Sequence, residues 1–144
     1  IRNKAAGSFS KRYGVEEGTP LKCSTLEFSY KNDDLGDPLM NSYMALALDL
    51  ATKGEIDTIS EMAFKGNEVL KEVFAGVGIE LIDFKLEFGR YHGQIILADE
   101  ISPDTCRYWD MKTHDHLDKD RFRRDLGDAE GAYQEVYRRL GLDR

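Results

Sequence analysis

No stretch of this chain approaches the roughly 18 consecutive apolar residues that a membrane-spanning helix needs. A basic excess is also missing. Lys and Arg number 20 against 27 Asp and Glu, a formal net charge of -7, whereas a duplex-binding domain usually carries the opposite sign. Membrane and nucleic acid are therefore not expected as partners. Cysteine is scarce: Cys23 and Cys106 stand alone, without metal-type spacing, and read as two reduced thiols of a cytoplasmic protein. No signal-peptide pattern, internal repeat, low-complexity stretch or linker is visible. The opening residues, Ile1-Arg2-Asn3-Lys4, lack Met and a polar lead-in, which reads as a fragment whose N-terminal portion is absent.

What is present suits one domain. The chain has 144 residues, 41% hydrophobic and 33% charged, enough apolar material for a core and too much for a disordered acidic tail. Residues 1–14 are basic, with Arg2, Lys4, Lys11 and Arg12 and no acid; such a local cluster can hold a small phosphorylated ligand within an acidic protein. Residues 26–30 alternate like a strand and break at an Asn/Asp/Gly/Pro cluster. Pro38 is expected in the first turn of a helix over 39–50 that Gly54 stops. Asp57 or Thr58 is expected to cap a long helix ending near 76–78, with Ile59, Ala63, Leu70, Val73, Phe74 and Val77 as its apolar stripe. Strands over 80–91 and 94–101 follow, then a loop at 102–110 and one or two terminal helices.

The segment LIDFKLEFG, residues 81–89, carries Ile82, Phe84, Leu86 and Phe88 on one face and Asp83, Lys85 and Glu87 on the other. As a strand it projects the three charges together, about 7 Å apart at each step of two. The next strand brings Asp99. A two-residue turn at His92-Gly93 would pair Leu86 with Asp99 and put a carboxylate among apolar side chains, which is costly. A three-residue turn, 91–93, pairs Lys85 with Asp99 and sets Asp99 diagonal to Glu87, within about 7–8 Å between Cα atoms. Two carboxylates so placed suit a hard divalent ion such as Mg²⁺, bound together with nucleotide phosphates. The three-residue turn is the expectation.

Several stretches, in order, resemble one family. LIDFKLEFG resembles the second signature of the phosphoribosylaminoimidazole-succinocarboxamide synthases, the SAICAR synthetases. RNKAAGS, residues 2–8, resembles the end of the first signature, R-x-x-x-[TA]-G-S. KNDDLGDP at 31–38, LADEISPDTCRYWD at 97–110 and DKDRFRRDLG at 118–127 are also similar to that family. The resemblance implies an α+β fold, related to the ATP-grasp architecture, with an antiparallel sheet packed with helices. It implies that residues 1–144 are a single C-terminal lobe binding CAIR (a carboxylated aminoimidazole ribonucleotide) and Mg²⁺, without the ATP-covering N-terminal lobe. It also implies an ATP-dependent ligase of purine biosynthesis that joins L-aspartate to CAIR through an acyl phosphate, and it is compatible with a homo-oligomer of the full-length enzyme.

By the same resemblance, Glu87 and Asp99 match the Mg²⁺ ligands. Lys85 matches the lysine beside the reacting carboxylate. Asp83 is expected to orient Lys85 or to meet the imidazole amine of CAIR. Arg2, Ser8 and Arg107 match residues that hold the 5′-phosphate, a task suited to the planar guanidinium fork. Lys31, Asp33 and Asp37 resemble a loop facing the substrates, and Asp104 is placed near Arg107 or the ribose. Trp109 reads as packing. His92, His114 and His116 read as exposed, without metal. Lys119, Arg121, Arg123 and Arg124 read as a solvated helix face. Two other functions compete: a non-catalytic nucleotide- or protein-binding module, and a kinase-like phosphotransferase, for which the H-R-D and D-F-G motifs are missing. The fragment alone is expected to be inactive.

Overall fold

The structure, a computed structural model, describes residues 1–142; the last two residues of the expected lobe lie outside the described residues. Four strands form the central antiparallel sheet, in the spatial order β2 (Pro20–Thr25), β1 (Arg2–Lys4), β5 (Ile79–Phe84) and β8 (Cys106–Asp110). Helix α1 (Gly7–Tyr13) follows β1. A two-stranded ribbon of β3 (Phe28–Ser29) and β4 (Leu39–Met40) leads to α2 (Ser42–Ala47) and the long α3 (Lys53–Ala75). A hairpin of β6 (Glu87–Tyr91) and β7 (Gln94–Ala98) stands apart from the sheet, and α4 (Asp120–Arg123) and α5 (Ala129–Arg139) close the chain.

One face of the sheet is covered by helices. Ile79, Leu81, Phe84, Cys106 and Tyr108 pack with Phe74 of α3 and with Ala132 and Val136 of α5. At the β1–β2 end of the sheet, Asn67 of α3 is fully buried and exchanges hydrogen bonds with Asn3 at 2.8 and 3.0 Å, and donates to Ser24. The opposite face carries Arg2, Lys4, Glu80, Asp83 and Arg107, around a small apolar cluster of Ala6, Ile82 and Trp109. Trp109 is thus a packing residue.

The phase of β5 changes midway. Leu81 opposes Tyr108 and Asp83 opposes Arg107, so Ile82 is an extra residue in a bulge. A bulge re-aims the side chains that follow it. Here it returns Phe84 to the helix-covered face and delivers Asp83 to the charged one.

Several local expectations are corrected. The strand expected over 80–91 is two strands, broken at Lys85-Leu86, and β7 ends at Ala98. The turn is the two-residue His92-Gly93, with Tyr91 opposite Gln94 and positive φ at both turn residues, the backbone a tight hairpin needs. The cost foreseen for that register does not arise. The ladder stops at Glu87–Ala98, and Asp99 leaves it in the left-handed conformation at φ 66°, which Asp tolerates better than most residues. The long helix begins earlier than expected, because Thr52 and Glu55 form a capping box that satisfies the first amides. Gly54 lies inside that helix rather than ending the previous one, and Pro38 precedes β4 rather than a helix. The buried stripe of α3 is Ile56, Ala63, Asn67 and Phe74, with Leu70 partly buried and Val73 exposed.

Candidate functional site

The charged face of the sheet holds an arginine cradle. Asp83 accepts from Arg2 Nη1 at 3.1 Å and from Arg107 Nη1 at 2.9 Å. Asp120, at the start of α4, accepts from Arg107 Nε at 2.7 Å and from Arg123 Nη1 at 3.1 Å. The carboxylates are the more buried partners: the side chains of Asp83 and Asp120 are 10% and 4% exposed, those of Arg107 and Arg123 17% and 43%, while Arg2 at 13% is nearly as enclosed as Asp83. Buried anions therefore fix a group of cations, an arrangement suited to receiving an anion. Burial pushes the Asp83 carboxyl up against the pull of Arg107 and Arg2. Burial also acts to raise Asp120, but His116, Arg107 and Arg123 outweigh it and hold the carboxyl well below the usual range.

Ser8 completes the cradle. Arg2 Nη2 donates to its hydroxyl at 3.1 Å. The preceding residue must be glycine for two reasons. Gly7 has φ +54°, and a Cβ there would stand 2.3 Å from Arg107 Nη2. The sequence expectation grouped Arg2, Ser8 and Arg107, and the fold brings all three together. Asp83 joins them instead of meeting Lys85. Asp104 accepts from Tyr133 at 2.7 Å and lines a groove of about 900 Å³ between α4 and α5, whereas the carboxylate partners of Arg107 are Asp83 and Asp120.

A second charged cluster lies where the chain leaves β5 for the hairpin. Lys31 Nζ stands 2.7 Å from Glu87 Oε2, and Lys85 Nζ 3.5 Å from Glu87 Oε1. The Asp99 carboxyl is held below its usual range, first by Glu100, and it also interacts with Glu87 and Lys31. Asp33 acts on Lys31 from the neighbouring loop. Asp37 clips that loop, accepting from the Asn32 amide at 2.8 Å. Glu87 and Asp99 are thus neighbours, by a left-handed exit from β7 rather than by ladder pairing. The two lysines on Glu87 are exposed and displaceable, and an all-oxygen carboxylate pair suits a hard cation.

His116 is not exposed as expected: its ring lies 5.0 Å from that of Trp109, and Nδ1 stands 3.7 Å from Asp120. Glu17, His116 and Asp120 offer ligand atoms within 4.8 Å of one another, but Arg107, Arg123 and Arg124 already pair with those carboxylates. Of the basic run near 120, Arg123 and Arg124 therefore form ion pairs instead of a freely solvated face. The sequence places Arg12 in the basic 1–14 cluster without a specific role, and assigns none to Asp120 or Glu27. Glu27 pairs with both Arg2 and Arg12. Arg12 follows Ser8 by four residues, one helical turn of α1, which was the readable signal. Asp120 and Glu27 reach the cradle only through tertiary folding.

Comparison with known proteins resolves the family. The family model of SAICAR synthetase matches residues 1–140. The chain belongs to the SAICAR synthetase family. It is 69% identical over 143 residues to a phosphoribosylaminoimidazole-succinocarboxamide synthase of Lachnoclostridium phytofermentans, covering 99% of this chain and 61% of that protein. To the same-named protein of Clostridium botulinum (strain Eklund 17B / Type B) it is 62% identical, covering 97% of this chain and 60% of the relative. The crystal structure of the Ehrlichia chaffeensis synthase superposes with TM-score 0.96 at 47% identity, over 99% of this chain and 62% of that one. A SAICAR synthetase solved in complex with ADP matches with TM-score 0.94 at 51% identity, over 99% of this chain and 61% of that one. The SAICAR synthetase family member described here therefore has the expected α+β fold, and it spans about three-fifths of the length of these relatives.

Proposed function

We propose that residues 1–144 are the C-terminal, CAIR- and metal-binding lobe of an ATP-dependent ligase of purine biosynthesis, acting in the cytoplasm to join L-aspartate to CAIR as SAICAR. The observation that carries this reading is the juxtaposition, in a chain of this family, of an arginine cradle fixed on buried carboxylates and a separate carboxylate pair. A carboxylate is a poor acyl donor. Transfer of a phosphoryl group from ATP to the CAIR carboxylate creates a leaving group, and the aspartate amine then displaces phosphate to form the amide. Charge develops on the transferred group, so fixed cations give the greatest stabilisation.

Arg2, Ser8 and Arg107 hold the 5′-phosphate of CAIR and so orient the imidazole carboxylate. Glu87 and Asp99 would hold Mg²⁺, which neutralises phosphate charge when bound. Lys85 and Lys31, now paired with Glu87, turn toward the acyl phosphate once its charge is present. Asp33 and Asp37 shape the loop that carries Lys31, and Asp104, bonded to Tyr133 in the groove between α4 and α5, is given no substrate contact. The N-terminal lobe covers ATP in the longer protein. The isolated chain is expected to show no turnover and weak nucleotide binding by calorimetry at most.

The test is ADP release by the full-length protein with ATP, Mg²⁺, CAIR and aspartate, omitting each in turn. Turnover that requires all four supports the ligase. ATP hydrolysis indifferent to CAIR and aspartate contradicts it. Tight ATP binding by residues 1–144 alone would favour a self-contained nucleotide-binding module instead.

A further inference from the structure

The arginine cradle extends past the three residues already assigned to it. Arg12, on α1, donates from Nη2 to the Ser8 hydroxyl at 3.4 Å, the same oxygen that Arg2 Nη2 reaches at 3.1 Å. Both guanidiniums also share one carboxylate: Glu27 Oε1 lies 3.2 Å from Arg2 Nε and 3.2 Å from Arg12 Nη1. Each is backed by an aromatic ring of α1, Arg2 by Phe9 at 5.5 Å and Arg12 by Tyr13 at 5.2 Å, and those rings meet edge to face at 4.8 Å. Two like charges are thus held side by side on a built support, and only one carboxylate lies between them. Arg12 is the more accessible of the two, its side chain 31% exposed against 13% for Arg2.

We propose that Arg12 is a further ligand of the substrate's phosphate monoester, and that Glu27 is the positioning residue that aims Arg12 and Arg2 at it. This rests on the reading of Arg2, Ser8 and Arg107 as the phosphate site. Arg12 Nη2 and Arg2 Nη2 converge on the one hydroxyl that would donate to a ligand oxygen, so both guanidiniums border the same binding position. A monoester dianion presents more acceptor oxygens than Arg2, Ser8 and Arg107 need to engage, and a second outward guanidinium matches its second charge. Arg12 thereby sets specificity for nucleotide over nucleoside.

The experiment compares Arg12→Gln, Arg12→Lys and Arg107→Gln in the full-length ligase, measuring KM and kcat with CAIR and with its dephosphorylated nucleoside. A charge-assisted hydrogen bond lost from the bound state raises KM about tenfold or more. Arg12→Gln is expected to raise KM for CAIR by that factor, leave kcat within about twofold, and leave the nucleoside unaffected; Arg12→Lys recovers part of the loss. Glu27→Gln is expected to raise KM in the same direction by less. An unchanged KM for CAIR in Arg12→Gln overturns the inference, and so does an equal loss with the nucleoside. If Arg107→Gln raises KM while Arg12→Gln does not, the phosphate site stands and only the role of Arg12 falls. If neither changes KM, the phosphate site itself is misplaced.

Discussion

The two charged clusters share one plan, a carboxylate more buried than its cations, but differ in how far they open to solvent. In the cradle the anions are buried in and beside the central sheet, each carboxylate holding two arginines. At the hairpin Glu87 is met by two lysines whose side chains are 75% and 62% exposed. Arginine forks on buried carboxylates are rigid and costly to disturb. Exposed lysine–carboxylate pairs add little stability and rearrange readily. On the proposed function, the first cluster is ready for its ligand before binding, and the second can exchange its ammonium partners for a metal ion and phosphates.

That contrast is broken most sharply at Asp83. Asp83→Asn leaves Arg2 and Arg107 without their shared anion and is expected to cost about 3–5 kcal/mol in urea unfolding. A near-neutral result would mean that the cradle is not held together by its buried carboxylate.

The next effect is a pH dependence. Asp118 is fully buried and accepts from the Tyr108 and Asp120 amides at 2.8 Å each, fastening the loop that carries Asp120. Burial raises its carboxyl to about 6. A folded-state value above the unfolded one means that this contribution is complete below the ordinary carboxylate range and is lost as pH rises through about 6. The span is on the order of 2–3 kcal/mol. Asp118→Asn should remove that slope from unfolding midpoints measured between pH 4.5 and 7, whatever its effect on absolute stability.

Gly7→Ala adds a methyl group against Arg107 at positive φ. It is expected to cost about 1–3 kcal/mol and to weaken CAIR binding, as read by calorimetry on the full-length protein. The smallest stability effect belongs to the other cluster: Glu87→Gln is expected to shift stability by less than about 0.5 kcal/mol, while abolishing turnover.

The sequence showed the members of both clusters more clearly than their geometry. Arg2, Ser8 and Arg107 were legible because their motifs resemble a family's signatures, and Glu87 with Asp99 because two acids flank a hairpin. The route by which they meet was not legible. Strict alternation cannot reveal the bulge at Ile82, since an extra residue in one strand shows only against its partner. The two-residue turn carries the foreseen cost only if the ladder continues to position 99, whereas Asp99 leaves it at positive φ. The capping box is legible as Thr52 and Glu55 three residues apart, ahead of the cap positions nearer the apolar stripe.

The central claim, that the hairpin cluster is the cation site and the sheet cradle is not, is tested most directly by Mn²⁺ titration of the full-length protein with ATP present, followed by electron paramagnetic resonance. Glu87→Gln and Asp99→Asn should each weaken Mn²⁺ binding about tenfold or more, because each removes a ligand oxygen, with the melting temperature unchanged. Mn²⁺ affinity equal to that of the unaltered protein in both variants would contradict it.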